Sequence, residues 1–159
     1  MSTPDHDAFM REAAELANQN VLAGRGGPFG AVIVRGGEII GRGTNVVTST
    51  NDPTAHAEVT AIRDACKKLG AFSLPGCEIY TSCEPCPMCL AAIYWARIEK
   101  IFFANTRSDA ARIGFDDDHL YHEMTLAHHE RSTPIVPLAS DQAAATFALW
   151  TAKSDKVPY

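Results

Sequence analysis

Apolar residues recur at helical spacing near the start of the chain. Phe9, Ala13, Leu16, Ala17 and Val21 share one side of a 3.6-residue turn and predict a helix from about Asp5 to Leu22. Gly24-Arg25-Gly26-Gly27-Pro28 ends it. Two short apolar runs follow, Phe29–Val34 and Ile39–Asn45, joined through Gly36-Gly37, which is the pattern of a β-hairpin. Thr54 is suited to cap a helix over Ala55–Leu69 that Gly70 closes. Cys77–Ser82, with Ile79, Tyr80 and Thr81, reads as a strand. Pro87 stands where proline is welcome, at the first position of a helix running to about Ala96, and Ile98–Ala104 reads as another strand. A less regular stretch through Gly114-Phe115-Asp116-Asp117-Asp118 comes next. The last helix spans about Asp141 to Lys153, with Ala143, Phe147 and Trp150 on one face.

Helices alternating with strands after an initial hairpin predict a three-layer α/β/α sandwich around a mixed sheet. With 159 residues, no internal repeat and no linker, the chain reads as one domain over residues 1–159. The apolar fraction of 46% and charged fraction of 21% are those of an ordinary globular protein, and no apolar run reaches membrane-spanning length. The start, Met1-Ser2-Thr3-Pro4-Asp5-His6-Asp7, is polar and acidic, unlike a signal or transit peptide. A net charge of −5 with no cluster of Lys and Arg argues against nucleic acid as a partner and for a small, uncharged substrate. Five cysteines, three of them within Cys83–Cys89, suit metal binding in a reducing compartment better than a disulfide framework, so the expected location is cytoplasmic.

Two short motifs carry the chemistry. His56-Ala57-Glu58 and Pro85-Cys86-Pro87-Met88-Cys89 supply one imidazole, two thiolates and one free carboxylate, all at predicted helix starts. Three protein ligands, His56, Cys86 and Cys89, leave the fourth corner of a tetrahedral zinc open for water, which distinguishes a catalytic ion from a structural one. Helix N-termini favour thiolate over thiol. Two thiolates and a neutral imidazole cancel the charge of Zn²⁺, so the water is less acidic than under all-imidazole ligation and needs a base, for which Glu58 is the candidate. Two other readings use the same residues: a structural zinc closed by Cys83, and a fragment of an iron–sulfur run with C-x₂-C-x₂-C spacing. The first leaves Glu58 without a role, and the second lacks a fourth cysteine followed by proline. Cys66 and Cys77 read as packing residues, and His6, His119, His122, His128 and His129 as solvated.

The chain resembles the cytidine-deaminase-like zinc deaminase superfamily and, within it, the bacterial guanine deaminases. The resemblance rests on Gly27-Pro28-Phe29-Gly30-Ala31-Val32, Asn51-Asp52-Pro53-Thr54-Ala55-His56-Ala57-Glu58, Tyr80 through Cys89, Ile93-Tyr94-Trp95-Ala96-Arg97 and Gly114-Phe115-Asp116-Asp117. The H-A-E and P-C-x-x-C parts occur throughout the superfamily, and the stretch Asn51-Asp52-Pro53-Thr54-Ala55-His56-Ala57-Glu58 also resembles tRNA adenosine deaminases. The Gly-Phe-Asp-Asp stretch and a final tyrosine point toward guanine. The resemblance implies a mixed sheet of about five strands and one zinc ion per subunit. It implies a purine resting near Phe29 and Trp95, Asn45 hydrogen-bonding it, and the backbone near Ala57 helping to orient it. Asp117 would bind the amide edge and assist proton transfer, and Tyr159 would close the pocket. It further implies a homodimer in which the C-terminal segment passes between subunits, carrying Tyr159 into its own or the partner's site. A physical argument supports Asp117: guanine presents a ring N–H and an exocyclic NH₂ side by side, and an ionised carboxylate only accepts. From the residues alone, Asp116-Asp117-Asp118 reads first as a solvated acidic turn or helix cap, and only the resemblance reverses that. Phe29 and Trp95 read equally as core packing, and Tyr159 as a frayed end, against which stands the stiff Val157-Pro158.

Overall fold

The computed structural model describes residues 5–159, so the first four residues of the polar start lie outside the described residues. Two compact units are present, one ending at Tyr121 and the other running from His122 to Tyr159. In the first, helix α1 (His6–Leu22) opens on Asp5, whose carboxylate accepts from the Ala8 N–H at 2.9 Å. Strands β1 (Gly30–Arg35) and β2 (Glu38–Thr44) form the expected hairpin, with Gly36 and Gly37 both at positive φ in the turn. A short helix α2 (Val47–Thr50) leads to α3 (Ala57–Leu69), which Gly70 closes in the left-handed region. Strand β3 (Cys77–Cys83), helix α4 (Pro87–Trp95) and strand β4 (Lys100–Asn105) form a β-α-β unit whose strands pair in parallel. Helix α5 (Arg107–Arg112) and the start of α6 (Asp118–Thr125) complete the unit.

The sheet is mixed, with strand order β2-β1-β3-β4. β1 lies antiparallel to both β2 and β3, and only β3 and β4 are parallel. Alternation along the central strands sorts their side chains onto two buried faces. Ala31, Ile33 and Ile79 meet Ala57, Ala61, Ala65 and Ile93 of α3 and α4, while Val32, Val34 and Tyr80 meet Phe9 of α1. This is why β1 reads as an unbroken apolar run: a strand covered on both sides has no face left for polar residues. The three layers are therefore α1, the sheet, and α3 with α4.

Four strands are present among the described residues where about five were expected. After β4 the chain turns helical, because Thr106 and Asp109 form a reciprocal capping box that starts α5. The later stretch 133–139 has no ladder partner, and its Pro134 and Pro137 lack the N–H that a ladder needs. His6 is exposed, as expected, but it also has partners. Its Nδ1 sits 2.7 Å from the buried Tyr80 hydroxyl, its ring lies 4.7 Å from Phe102, and the Tyr80 hydroxyl donates to Glu78 at 2.9 Å.

In the unit from His122 to Tyr159, a single 3₁₀ turn (His128–Glu130) follows the end of α6, and the extended stretch leads to α7 (Asp141–Ala152). Ser140 caps α7 through its hydroxyl, which accepts from the Ala143 N–H at 3.3 Å. Glu123 ties the turn together by accepting from both the N–H and the hydroxyl of Ser132 at 2.9 Å. No helix among the described residues is long and apolar enough to cross a membrane.

One contact fixes where α3 begins. A Cβ on Gly43 would stand 2.2 Å from the Ala57 carbonyl oxygen and 2.3 Å from the Ala61 nitrogen, and one on Gly41 would stand 2.7 Å from the Ala61 carbonyl oxygen. The small-residue row Ala57, Ala61 and Ala65 thus lies directly on two β2 glycines, with backbone against backbone. Gly43→Ala is expected to push α3 off the sheet and cost about 1–3 kcal/mol, read as a lowered midpoint in denaturant unfolding.

Candidate zinc centre and active site

The two chemistry-bearing helices start on metal-ligand residues. His56 is the cap of α3 and Cys86 the cap of α4; both have extended backbone, and neither side chain makes a capping hydrogen bond. Thr54, expected as the α3 cap, is taken instead by a turn with Asp52, whose Oδ1 accepts from the Thr54 N–H at 2.8 Å and its hydroxyl at 2.6 Å. That shift of two residues leaves the His56 imidazole free to point away from its own helix. Pro87 takes the first helical position of α4, where its missing N–H costs nothing, and Cys89 sits in the same turn.

The three side chains converge. The His56 Nδ1 lies 3.6 Å from the Cys86 Sγ and 3.5 Å from the Cys89 Sγ. A tetrahedral zinc with Zn–N near 2.0 Å and Zn–S near 2.3 Å requires nitrogen and sulfur about 3.6 Å apart, so this cluster is compatible with one zinc ion. Approach through Nδ1 places the imidazole proton on Nε2 when the ring ligates. Cys83 is not part of the group. Its thiol faces the Thr106 carbonyl oxygen at 3.7 Å.

The electrostatics separate the same residues. The Cys89 thiol donates toward Cys86 and, with His56 also close, holds the Cys86 thiol down to about 4 despite its burial. Cys89 is correspondingly raised, by that shared hydrogen bond first and by burial second. His56 is raised, chiefly because it faces Cys86. Burial pushes Cys83 up to about 11, as befits an inert thiol. Cys66 and Cys77 are also raised by burial, in keeping with packing roles.

A cavity of about 330 Å³ opens over the cluster. Its lining includes His56, Glu58 and Cys86 on one side, Phe29, Asn45 and Val47 on another, and Phe115, Asp116, Asp117 and Leu120 opposite. That volume is at the small end of the range for ligand sites, roughly 300–1,000 Å³. Glu58 is buried in the first turn of α3, and burial raises its carboxyl above the usual glutamate range. Burial also raises Asp117, whose Oδ1 is enclosed and has no hydrogen-bond partner among the described residues. Asn45 is buried and spends its side-chain oxygen on the Gly27 and Val47 N–H groups, both at 3.3 Å, which leaves its NH₂ as the end offered to the cavity. Phe29 stands edge-on to Phe115 at 4.9 Å between ring centres.

His56, Glu58, Cys86, Phe29, Asn45 and Asp117 thus line one cavity, while Cys89 is buried and Ala57 is buried at the first position of α3. Trp95, expected beside Phe29, is not in the lining. It is the last residue of α4 and 62% exposed, and the Arg97 guanidinium stands 5.8 Å from its ring centre. Tyr159 belongs to the other unit and is exposed. Glu84 and Phe115 fall within quoted motifs without being assigned a role, and Asn20 had no signal of its own in the chain. Asn20 is completely buried, and its side-chain NH₂ donates to the carbonyls of Gly27 (3.0 Å) and Asn45 (2.7 Å), bracing the loop that carries Phe29. A buried asparagine within a helix that is followed by a glycine-rich loop is the pattern that would have found it.

Comparison with known proteins follows the same lines. Residues 3–105 match the family model for the cytidine and deoxycytidylate deaminase zinc-binding region. Guanine deaminase of Bacillus subtilis is 52% identical over 155 residues, covering 98% of this chain and 99% of that protein. A solved structure of the Bacillus subtilis enzyme superposes with a TM-score of 0.94 over 98% of this chain and 99% of that one. A structure of guanine deaminase from Nitrosomonas europaea is 35% identical, with a TM-score of 0.67 over 74% of this chain and 66% of its own. A tRNA-specific adenosine deaminase from Aquifex aeolicus is 51% identical, but over only 77 residues, 48% of this chain and 51% of the relative. On motif, fold and sequence alike, the chain belongs to the cytidine and deoxycytidylate deaminase zinc-binding family, and it is an aminohydrolase.

Proposed function

We propose that this protein hydrolyses guanine to xanthine and ammonia, with His56, Cys86 and Cys89 holding one zinc ion. The observation that carries the choice of base is the enclosed, unpartnered Oδ1 of Asp117 in the cavity that also holds Glu58 and the ligand cluster. A lone buried acceptor is costly unless a ligand brings donors to it. Guanine brings two, side by side; adenine presents an acceptor at the corresponding ring position. The family model ends at residue 105, before Asp117, whereas the similarity to the Bacillus subtilis guanine deaminase spans nearly the whole chain. The tRNA-specific adenosine deaminase match, at half the chain, gives that reading less support.

When bound, zinc supplies the Lewis acidity that makes water a nucleophile at neutral pH. Glu58 takes the proton from the attacking water and hands it to the ring nitrogen beside the amino-bearing carbon. It then carries a proton to the departing amine, so that ammonia and not amide leaves. Burial raises the Glu58 carboxyl above the usual glutamate range, which strengthens it as a base toward the attacking water. Asp117 accepts from the ring N–H and the exocyclic amine, fixing which carbon faces the cluster, and assists proton transfer to the amine. The Asn45 NH₂ donates to an acceptor elsewhere on the ring, Phe29 covers a ring face, and the backbone at Ala57 orients the base.

Trp95 and Tyr159 enter this reading through assembly. The protein is a homodimer in which the segment after α6 is exchanged, bringing Tyr159 to close a site. The exposure of α7 supports it: Phe147 is 79% exposed and Leu149 71%, and a helix apolar on several sides is normally covered. Trp95, exposed at the end of α4, contributes to a purine site only if a second copy brings it there. Five unbridged cysteines favour a cytoplasmic setting and a role in purine breakdown.

Metal analysis with an ammonia-release assay over guanine, guanosine, adenine and cytosine tests the assignment. The expected result is one zinc per chain and release from guanine; release from guanosine but not guanine overturns the free-base reading. Glu58→Gln is expected to retain zinc and lose about 10²–10⁴-fold in kcat, and near-normal turnover removes Glu58 from the mechanism. Asp117→Asn keeps the shape but gives up the charge and half the acceptor capacity. Activity on guanine is expected to fall about ten- to a hundredfold with an unchanged unfolding midpoint.

A further inference from the structure

Among the described residues no hydrogen bond reaches the Asp117 Oδ1, so the placement of that oxygen depends on the backbone that carries it. That backbone is anchored one helical turn further on. The Tyr121 N–H donates to the Asp117 carbonyl at 3.1 Å, and the Tyr121 hydroxyl donates to the Pro85 carbonyl at 2.7 Å. Pro85 immediately precedes Cys86. One residue therefore spans from the substrate carboxylate to the cysteine loop through two hydrogen bonds, the second formed by a phenol on a rigid ring.

The ring is itself fixed. The Arg107 guanidinium lies over it at 4.7 Å, its Nε stands 3.8 Å from the Asp118 carboxylate, and the Arg107 backbone N–H donates to the Glu84 carboxylate at 2.9 Å. Both ends of the span are thus braced by the segment that follows β4. Tyr121 is absent from the cavity lining, so it does not touch a bound base.

We infer that Tyr121 is a positioning residue that sets the distance between the Asp117 carboxylate and the cysteine loop, and so the register of the base over the reacting centre. This rests on the reading of Asp117 as the acceptor for the amide edge. A small displacement of a carboxylate that must meet two donors at once weakens both bonds, which is read first as a raised KM.

Tyr121→Phe removes only the hydroxyl and keeps the ring under Arg107. It is expected to raise KM for guanine about fivefold, the value of one neutral hydrogen bond, with kcat changed less than about twofold and zinc content unchanged. In an Asp117→Asn background the same substitution is expected to change KM by less than about twofold, because the group it positions is already impaired. The two variants separate the inference from the reading beneath it. If Asp117→Asn leaves KM unaltered, the assignment of Asp117 fails and the inference falls with it. If Asp117→Asn raises KM while Tyr121→Phe does not, or if the two effects multiply in full, the positioning role alone fails. A Tyr121→Phe protein with a lower unfolding midpoint or less zinc but unaltered KM makes the residue merely structural, which also overturns it.

Discussion

Everything chemical in this molecule depends on two helix N-termini meeting at one point. Helices α3 and α4 begin on His56 and Cys86, and neither cap residue turns its side chain back onto its own helix. Each helix forgoes a side-chain cap worth about 1 kcal/mol, so that an imidazole and a thiol face each other instead. The exposed N–H groups of both first turns direct partial positive charge at the same place, which stabilises thiolate. The approach is enforced from behind. The Gly41 and Gly43 contact with the alanine row holds α3 on the sheet, and Pro87 and the buried Cys89 and Ile93 hold α4. Nitrogen and sulfur end up 3.5–3.6 Å apart, the spacing a tetrahedral ion needs.

How much of this was legible in the chain varied with how far the deciding contacts lie in sequence. β1 was readable because burial on both faces writes itself into a run of apolar residues, and α3 because its glycine stop is local. The cap of α3 was misplaced by two residues because Asp52 competes for Thr54, a choice between two local hydrogen-bonding patterns that composition does not decide. The capping box at Thr106 and Asp109 was present in the chain, but a six-residue helix carries too little periodicity to show itself. Trp95, absent from the lining within this chain, was illegible for a different reason. α4 is apolar almost all round, so no moment tells its buried side, at Cys89 and Ile93, from the side that exposes Tyr94 and Trp95.

Asp117 shows where sequence reading ends. Three consecutive aspartates are the ordinary composition of a solvated turn, and Asp116 and Asp118 are both exposed, Asp116 bordering the cavity and accepting from the His119 N–H, Asp118 near Arg107. Only the fold makes the middle residue different, by bringing a segment after β4 over the start of α3 and the end of β3. Resemblance to a family identified it, whereas residue chemistry alone did not.

The same arrangement divides the labour within the chain. Residues that match the family model supply what any deaminase of this kind needs: ligands, a buried base and a floor of packed strands. Asp117, to which the proposed choice of base is assigned, lies beyond residue 105 between two short helices with few buried residues, where change is cheap for the fold. Glu58, Glu84 and Asp117 then share one cavity whose lining contains no lysine or arginine. Such a concentration of carboxylates is unfavourable by itself, and burial raises Glu58 and Asp117 accordingly. Donors carried by the ligand offset part of that cost, so a base with two adjacent N–H groups gains what a base with an acceptor there must lose. Selectivity of this kind comes from the penalty for leaving a buried acceptor unmet, and it is steeper than any that shape alone would give.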